Sequence, residues 1–162
     1  RDSNGFSKTY AMTGWRIGYL AAPADFISAL AVVKDAITGP AATVSQLAAL
    51  AAVSGSQDVV NEYHVIYSSR RALMMDGLTK LGFTYGEPQG AFFLYTNAAS
   101  SGFSAFELSY LLLKEAHVLI FPGTAFGEKW VDWLRISLLQ PEDQLSEALV
   151  RMTTVLDRHQ RS

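Results

Sequence analysis

The 162-residue chain has no cysteine, which excludes a disulfide framework, a thiolate zinc site and a cysteine nucleophile, and fits a reducing compartment. Glycine and proline are sparse at 12 and 5 residues, too few for a collagen-like or low-complexity chain. No long apolar run survives, because Pro23 and Asp25 interrupt the stretch 17–33, so no segment reads as an uninterrupted membrane span. Neither sign of charge dominates: 7 basic residues stand against 6 acidic over 1–81, and 6 against 9 over 82–162. That balance argues against a general binder of nucleic acid or anionic membrane. The opening Arg1-Asp2-Ser3-Asn4 has no initiator Met and no signal-type apolar region, so a piece of a longer cytoplasmic protein is expected. His64, His117 and His159 are scattered without ligand spacing, and no metal site is expected. No serine-nucleophile elbow, P-loop or dinucleotide fingerprint occurs.

What is present is enough apolar residue, 49%, to bury a sizeable core. Residues 17–22 form a short apolar run stopped by Pro23 and read as a buried strand. Phe26, Ile27, Leu30, Val33 and Ile37 recur at helical spacing over 24–38, closed by Gly39-Pro40. A second helix is expected after Pro40, capped by Thr43 or Ser45, with Leu47, Leu50 and Val53 on its buried face. The longest periodic stretch, Asp58 to Leu81, predicts a helix stopped by Gly82. Beyond it the pattern predicts strands at 83–85, 91–95, 117–121 and 133–138. Helices are expected at 104–115 and from about 141 to 156. This alternation is that of an α/β layer unit, with a junction near 82.

Chemistry concentrates first in Gly5-Phe6-Ser7-Lys8-Thr9-Tyr10-Ala11-Met12-Thr13-Gly14-Trp15-Arg16-Ile17-Gly18-Tyr19. An unprotonated lysine amine forms a Schiff base with a carbonyl, and nearby positive charge lowers its pKa toward neutrality. An arginine offers a planar fork to a phosphate dianion. Together they would anchor a phosphorylated aldehyde by one covalent and one ionic contact, although Lys8 and Arg16 also read as solvated charges flanking a strand. A second cation, Arg135, stands in the apolar strand Leu134-Arg135-Ile136-Ser137-Leu138. A guanidinium buried there needs a partner, either an internal carboxylate such as Glu142 or Asp143 or a ligand.

The lysine stretch closely resembles the lysine motif of the class I, fold-type-I aminotransferases that depend on pyridoxal 5'-phosphate, in the aspartate-aminotransferase-like branch. The resemblance implies that Lys8 carries the cofactor and that Arg16, eight residues on, binds its phosphate. Many relatives place a phosphate-binding serine three residues before the lysine, where this chain has Gly5, so Ser7 is the available substitute. It further implies that Arg135 grips the substrate α-carboxylate. Gly90-Ala91-Phe92 resembles the element lining the substrate pocket, with Phe92 as the contact. The stretch 118–127, with Pro122-Gly123, resembles the strand and loop facing the active site. Tyr10 and Trp15 read as packing.

The implied fold is α/β. Residues 1–40 are the end of a large cofactor-binding domain, 41–82 the connecting helices, and 83–162 most of a small C-terminal domain. The implied activity is amino-group transfer between an L-amino acid and a 2-oxo acid, in a homodimer. In this family the aspartate that pairs with the pyridine nitrogen and the Gly-rich phosphate loop precede the lysine. Only seven residues precede Lys8, and the one acid among them, Asp2, has the wrong spacing. The chain is therefore expected to be a C-terminal part without activity of its own. A cofactor-sensing, aminotransferase-like domain of a transcription regulator, and a non-catalytic remnant, are the alternatives.

Overall fold

The computed structural model describes the backbone of residues 2–160 and the side chains of 4–159. Arg1, Arg161 and Ser162, at the ends of the first and last expected domains, lie outside the described residues. The chain folds as two compact units, residues 1–64 and 65–162.

In the first unit, strands β1 (Asp2–Gly5) and β2 (Gly18–Ala21) form an antiparallel ribbon that closes on the pair Gly5 and Gly18. Gly18 is required by space, since a Cβ there would stand 2.9 Å from the Asn4 carbonyl oxygen. Between the strands lie the single turn α1 (Phe6–Thr9) and a 3-10 turn at Thr13–Trp15. Helices α2 (Ala24–Thr38) and α3 (Thr43–Ser54) follow, and α4 (Asp58–Lys80) begins in this unit. Gly39, at φ +61°, takes the left-handed turn that ends α2.

The small core here is Phe6, Met12 and Ala49, flanked by Tyr10, Ile17, Ala48 and Ala52. It corrects two expectations. Residues 18–21 are a strand but not a buried one: Gly18, Tyr19 and Ala21 are exposed and Leu20 half-buried, and the ribbon has two strands among the described residues. On α3 the buried side chains are Ser45 and Ala49, whereas Leu47, Leu50 and Val53 are exposed. Small residues let α3 approach Phe6 and Met12 closely, and its large residues face outward. Neither expected cap operates either: the N-cap is Ala42, with no side-chain hydrogen bond.

The second unit is built on an antiparallel sheet in the order β3 (Thr84–Tyr85), β4 (Phe93–Asn97), β6 (Trp133–Ser137), β5 (Phe121–Pro122). Strand alternation sends Leu94, Thr96, Leu134 and Ile136 to one face, where all four are buried. They pack with Met74 and Leu78 of α4, Leu108 of α5 (Ala105–Leu111), Leu112, and Met152, Val155 and Leu156 of α6 (Glu142–Gln160). Each such side chain contributes roughly 1.5–3 kcal/mol of burial. The other face carries Phe93, Tyr95 and Arg135.

Helix α5 starts at a reciprocal capping box between Ser104 and Glu107 and runs into a π-helical turn, Leu112–Ala116. His117 leaves that turn in the left-handed region, at φ +54°. The expected strand at 117–121 is accordingly reduced to Phe121–Pro122. The Val118 N–H donates to the Leu112 carbonyl and so closes the helix end instead of joining a ladder. The strand expected at 91–95 lies two residues later, at 93–97, because Ala91 takes a left-handed turn at φ +63°. The last helix extends to Gln160. No described helix is long and apolar enough to cross a membrane.

Candidate active site

The stretch between β1 and β2 holds Ser7, Lys8 and Arg16 in one closed loop. Lys8 lies in the helical turn α1, not in the open loop that its small neighbours suggest. The Tyr10 N–H donates to the Phe6 carbonyl at 3.1 Å, and the Thr13 hydroxyl donates to the Ser7 carbonyl at 3.1 Å. Arg16 Nη1 donates to the Thr13 carbonyl at 3.0 Å, and the Phe6 N–H reaches the Ile17 carbonyl at 3.3 Å. Phe6, the buried anchor, stacks on Tyr10 and meets Tyr19 edge-on, while the Tyr10 hydroxyl donates to Gln57 Oε1 at 2.9 Å. Tyr10 therefore serves packing. Trp15, by contrast, is 44% exposed and not the packed ring that was expected.

Two residues of this loop other than glycine take the left-handed conformation, Ala11 at φ 54° and Arg16 at φ 50°. Each costs of order 1–3 kcal/mol, and such residues cluster at functional sites. Lys8 and Arg16 are exposed, and Ser7 is half-buried. No ion pair involves Arg16 among the described residues. Most of its guanidinium donors thus stay open to an anion. An amine and an uncompensated guanidinium in one braced loop make a donor set that fits a phosphorylated aldehyde.

In the second unit Arg135 lies on the sheet face away from the core. Tyr95 on β4 and Phe121 on β5 stand directly across from it. Of the two partners open to Arg135, an internal carboxylate or a ligand, Glu142 and Asp143 do not supply the first. Among the described residues Arg135 makes no ion pair; its Cζ instead lies 3.8 Å from the Phe126 ring centroid, 4.4 Å from that of Phe93 and 5.6 Å from that of Phe121. Its Nε is buried without a hydrogen-bond partner. The apolar look of its strand comes from Leu134 and Ile136, which face the other way.

Phe92 is half-buried against the core, 5.9 Å from the Tyr67 ring and 4.5 Å from the Phe93 ring, and its carbonyl accepts from the Leu138 N–H. Phe93, one residue on, is the ring that faces Arg135. Sequence reasoning did not single out Phe93, Phe121 or Phe126, although the last two lie in the stretch 118–127 that carries a family resemblance. Ser7, Lys8 and Arg16 thus share one loop of the first unit, and Arg135 and Phe92 belong to the second.

The family model "Aminotransferase class I and II" matches residues 3–152. The aspartate aminotransferase of Rhizobium meliloti (strain 1021) is 37% identical over 171 residues, covering 96% of this chain and 40% of that protein. Aromatic-amino-acid aminotransferase 2 of Thermococcus litoralis is 38% identical over 155 residues, covering 94% and 40%. Among solved structures, the aromatic aminotransferase from Pyrococcus horikoshii OT3 superposes with a TM-score of 0.92 at 36% identity, covering 98% of this chain and 43% of that one. The chain therefore belongs to the class I and II aminotransferases, fold type I and aspartate-aminotransferase-like, and spans about 40% of the length of the curated relatives it matches.

Proposed function

We propose that this chain is the C-terminal part of an aminotransferase that moves an amino group between an L-amino acid and a 2-oxo acid, and that it is inactive without the remainder of that enzyme. The observation that carries the reading is the closed loop 6–17, which holds an exposed lysine and, in a strained conformation, an arginine that makes no ion pair among the described residues. Pyridoxal 5'-phosphate, when bound, supplies the electron sink for chemistry at the amino acid Cα. Lys8 holds and moves a proton at Nζ and is the covalent anchor. Arg16 pairs with the phosphate dianion, supported by the Ser7 hydroxyl. Arg135 takes the substrate carboxylate at its Nη edge and so orients the amino acid, with Phe92 beside that pocket.

In domain terms, residues 1–40 end the large cofactor domain, 41–82 are the connecting helices and 83–162 form most of the small domain. The exposed apolar side chains of α2 and α3, among them Val32, Ile37, Leu47 and Leu50, support a homodimer in which these helices are covered. A cytoplasmic setting goes with this reading. Borohydride reduction of the full-length holoenzyme followed by peptide mapping is expected to find the pyridoxyl group on Lys8. A pyridoxyl group on any other lysine overturns the assignment.

A further inference from the structure

We propose that Phe126 is a positioning residue for Arg135, holding its guanidinium ready for a substrate carboxylate; the inference rests on the reading of Arg135 given above. A buried or half-buried arginine is ordinarily matched by a carboxylate, which neutralises its charge and occupies its N–H donors. Here the same cation is held by ring faces instead, Phe126 at 3.8 Å and Phe93 at 4.4 Å from Cζ. An aromatic face attracts a cation yet accepts no hydrogen bond in the guanidinium plane. The charge and the Nη donors of Arg135 therefore stay available. Its Nε is buried and unpartnered, whereas the two Nη nitrogens are not among the buried, unsatisfied atoms, so the open edge is the one a carboxylate would meet bidentately.

Phe126 is the ring nearest the Arg135 guanidinium. It is 43% exposed, lies outside the hydrophobic core and, among the described residues, meets Arg135, Tyr95 and Phe121. Its backbone ends the 3-10 turn Gly123–Phe126, directly after the strand that pairs with β6. Gly123 brings that turn onto residues 130–133 at a distance no larger residue allows, since its Cβ would meet the Trp130 and Trp133 carbonyl oxygens at 2.7 Å. The fold thus spends a close backbone approach to set a half-exposed ring over an arginine.

A clamped guanidinium has already lost the side-chain freedom that a mobile one must give up on binding, about 0.5–1.5 kcal/mol, which is roughly a 2- to 13-fold change in affinity. Because Arg135 grips the carboxylate in the ground state and the transition state alike, the loss falls on KM and not on kcat. The test uses the full-length holoenzyme as wild type, Phe126→Leu, Phe126→Met, Phe126→Tyr and Arg135→Gln. Dissociation constants are measured for succinate and 3-phenylpropionate, together with steady-state kinetics.

Phe126→Leu, or Phe126→Met if the leucine variant does not fold, is expected to weaken carboxylate binding about 2- to 13-fold. KM for the amino acid should rise by the same factor with kcat retained, and Phe126→Tyr, which keeps the ring, should match wild type. Unchanged carboxylate binding in the leucine or methionine variant overturns the inference, as does a tyrosine variant no better than leucine. If Arg135→Gln leaves carboxylate binding unchanged, the assignment of Arg135 itself fails, and the role given to Phe126 falls with it.

Discussion

Replacing Gly123 by alanine tests the packing that sets Phe126 over Arg135. Gly123 is buried and its φ lies outside the left-handed region, so it is glycine for lack of space and not for backbone freedom. An added Cβ would stand 2.7 Å from Trp130 Cβ and 2.7 Å from the carbonyl oxygens of Trp130 and Trp133. Two of these three atoms are backbone and cannot swing aside, so the turn 123–126 has to move away from the start of β6. Overpacking of this kind costs about 1–3 kcal/mol. The chain spans about 40% of the relatives it matches, so for the full-length protein, at roughly 1 °C per kcal/mol, a loss near 2 kcal/mol lowers the thermal midpoint by about 2–3 °C.

Gly86→Ala is the matched control, because nothing lies within 4 Å of its Cβ position and its φ is not left-handed. That substitution is expected to be neutral or to stabilise by up to about 1 kcal/mol through the unfolded chain. Calorimetric scans of both variants in the full-length protein decide the matter. A Gly123→Ala midpoint equal to wild type and to Gly86→Ala would refute the steric argument. A shifted midpoint with an unaltered Kd for a carboxylate would separate the packing from the positioning of Arg135.

Two further perturbations read other parts of the second unit. The Glu107 carboxyl is held below its ordinary value of 4.5 by hydrogen bonds from the Ser104 hydroxyl and backbone N–H. The capping box therefore stabilises α5 above the pKa of the unfolded chain and fades as pH falls through the lowered value. Ser104→Ala should raise the Glu107 pKa in an NMR titration and shrink that acid-side dependence; an unmoved pKa would refute the box. Gly77→Ala should gain about 1 kcal/mol of helix propensity but drive its Cβ into the Leu149 side chain. A double-mutant cycle with Leu149→Ala is expected to show coupling of at least about 0.5 kcal/mol, and strict additivity would contradict the contact.

The elements most legible in the sequence are those whose limits are set by local chemistry. Gly39-Pro40 closes α2 and Gly82 closes α4, and both helices lie within a residue of where periodicity puts them. The Lys8–Arg16 loop is equally local, since the hydrogen bonds that brace it, from the Thr13 hydroxyl to the Ser7 carbonyl and from Arg16 to the Thr13 carbonyl, lie within its own span. The surroundings of Arg135 are not local. Phe121 meets it only through strand register and Phe126 only through the turn that follows, and neither pairing is written in residue spacing. Reading 133–138 as one apolar strand also hid its alternation: Leu134 and Ile136 belong to the core face, and the arginine between them belongs to the other.

Periodicity shows that a helix has an apolar face without showing what covers it, and α3 makes the difference concrete. Its spacing nominates Leu47, Leu50 and Val53 for the core, yet they are 62%, 60% and 50% exposed, while Ser45 and Ala49 are buried. The inward face is small because Phe6 and Met12, beneath the lysine loop, need a close neighbour. Large residues there would push α3 away from Phe6 and Met12. The outward face is large and apolar, and at 50–62% exposure each of its side chains leaves about 1–2 kcal/mol of burial unrealised. A surface of that composition is a poor match for water and a good one for protein. The lysine loop is thus braced from within by small side chains, while the same helix offers its large ones to the covered interface proposed for the full-length homodimer.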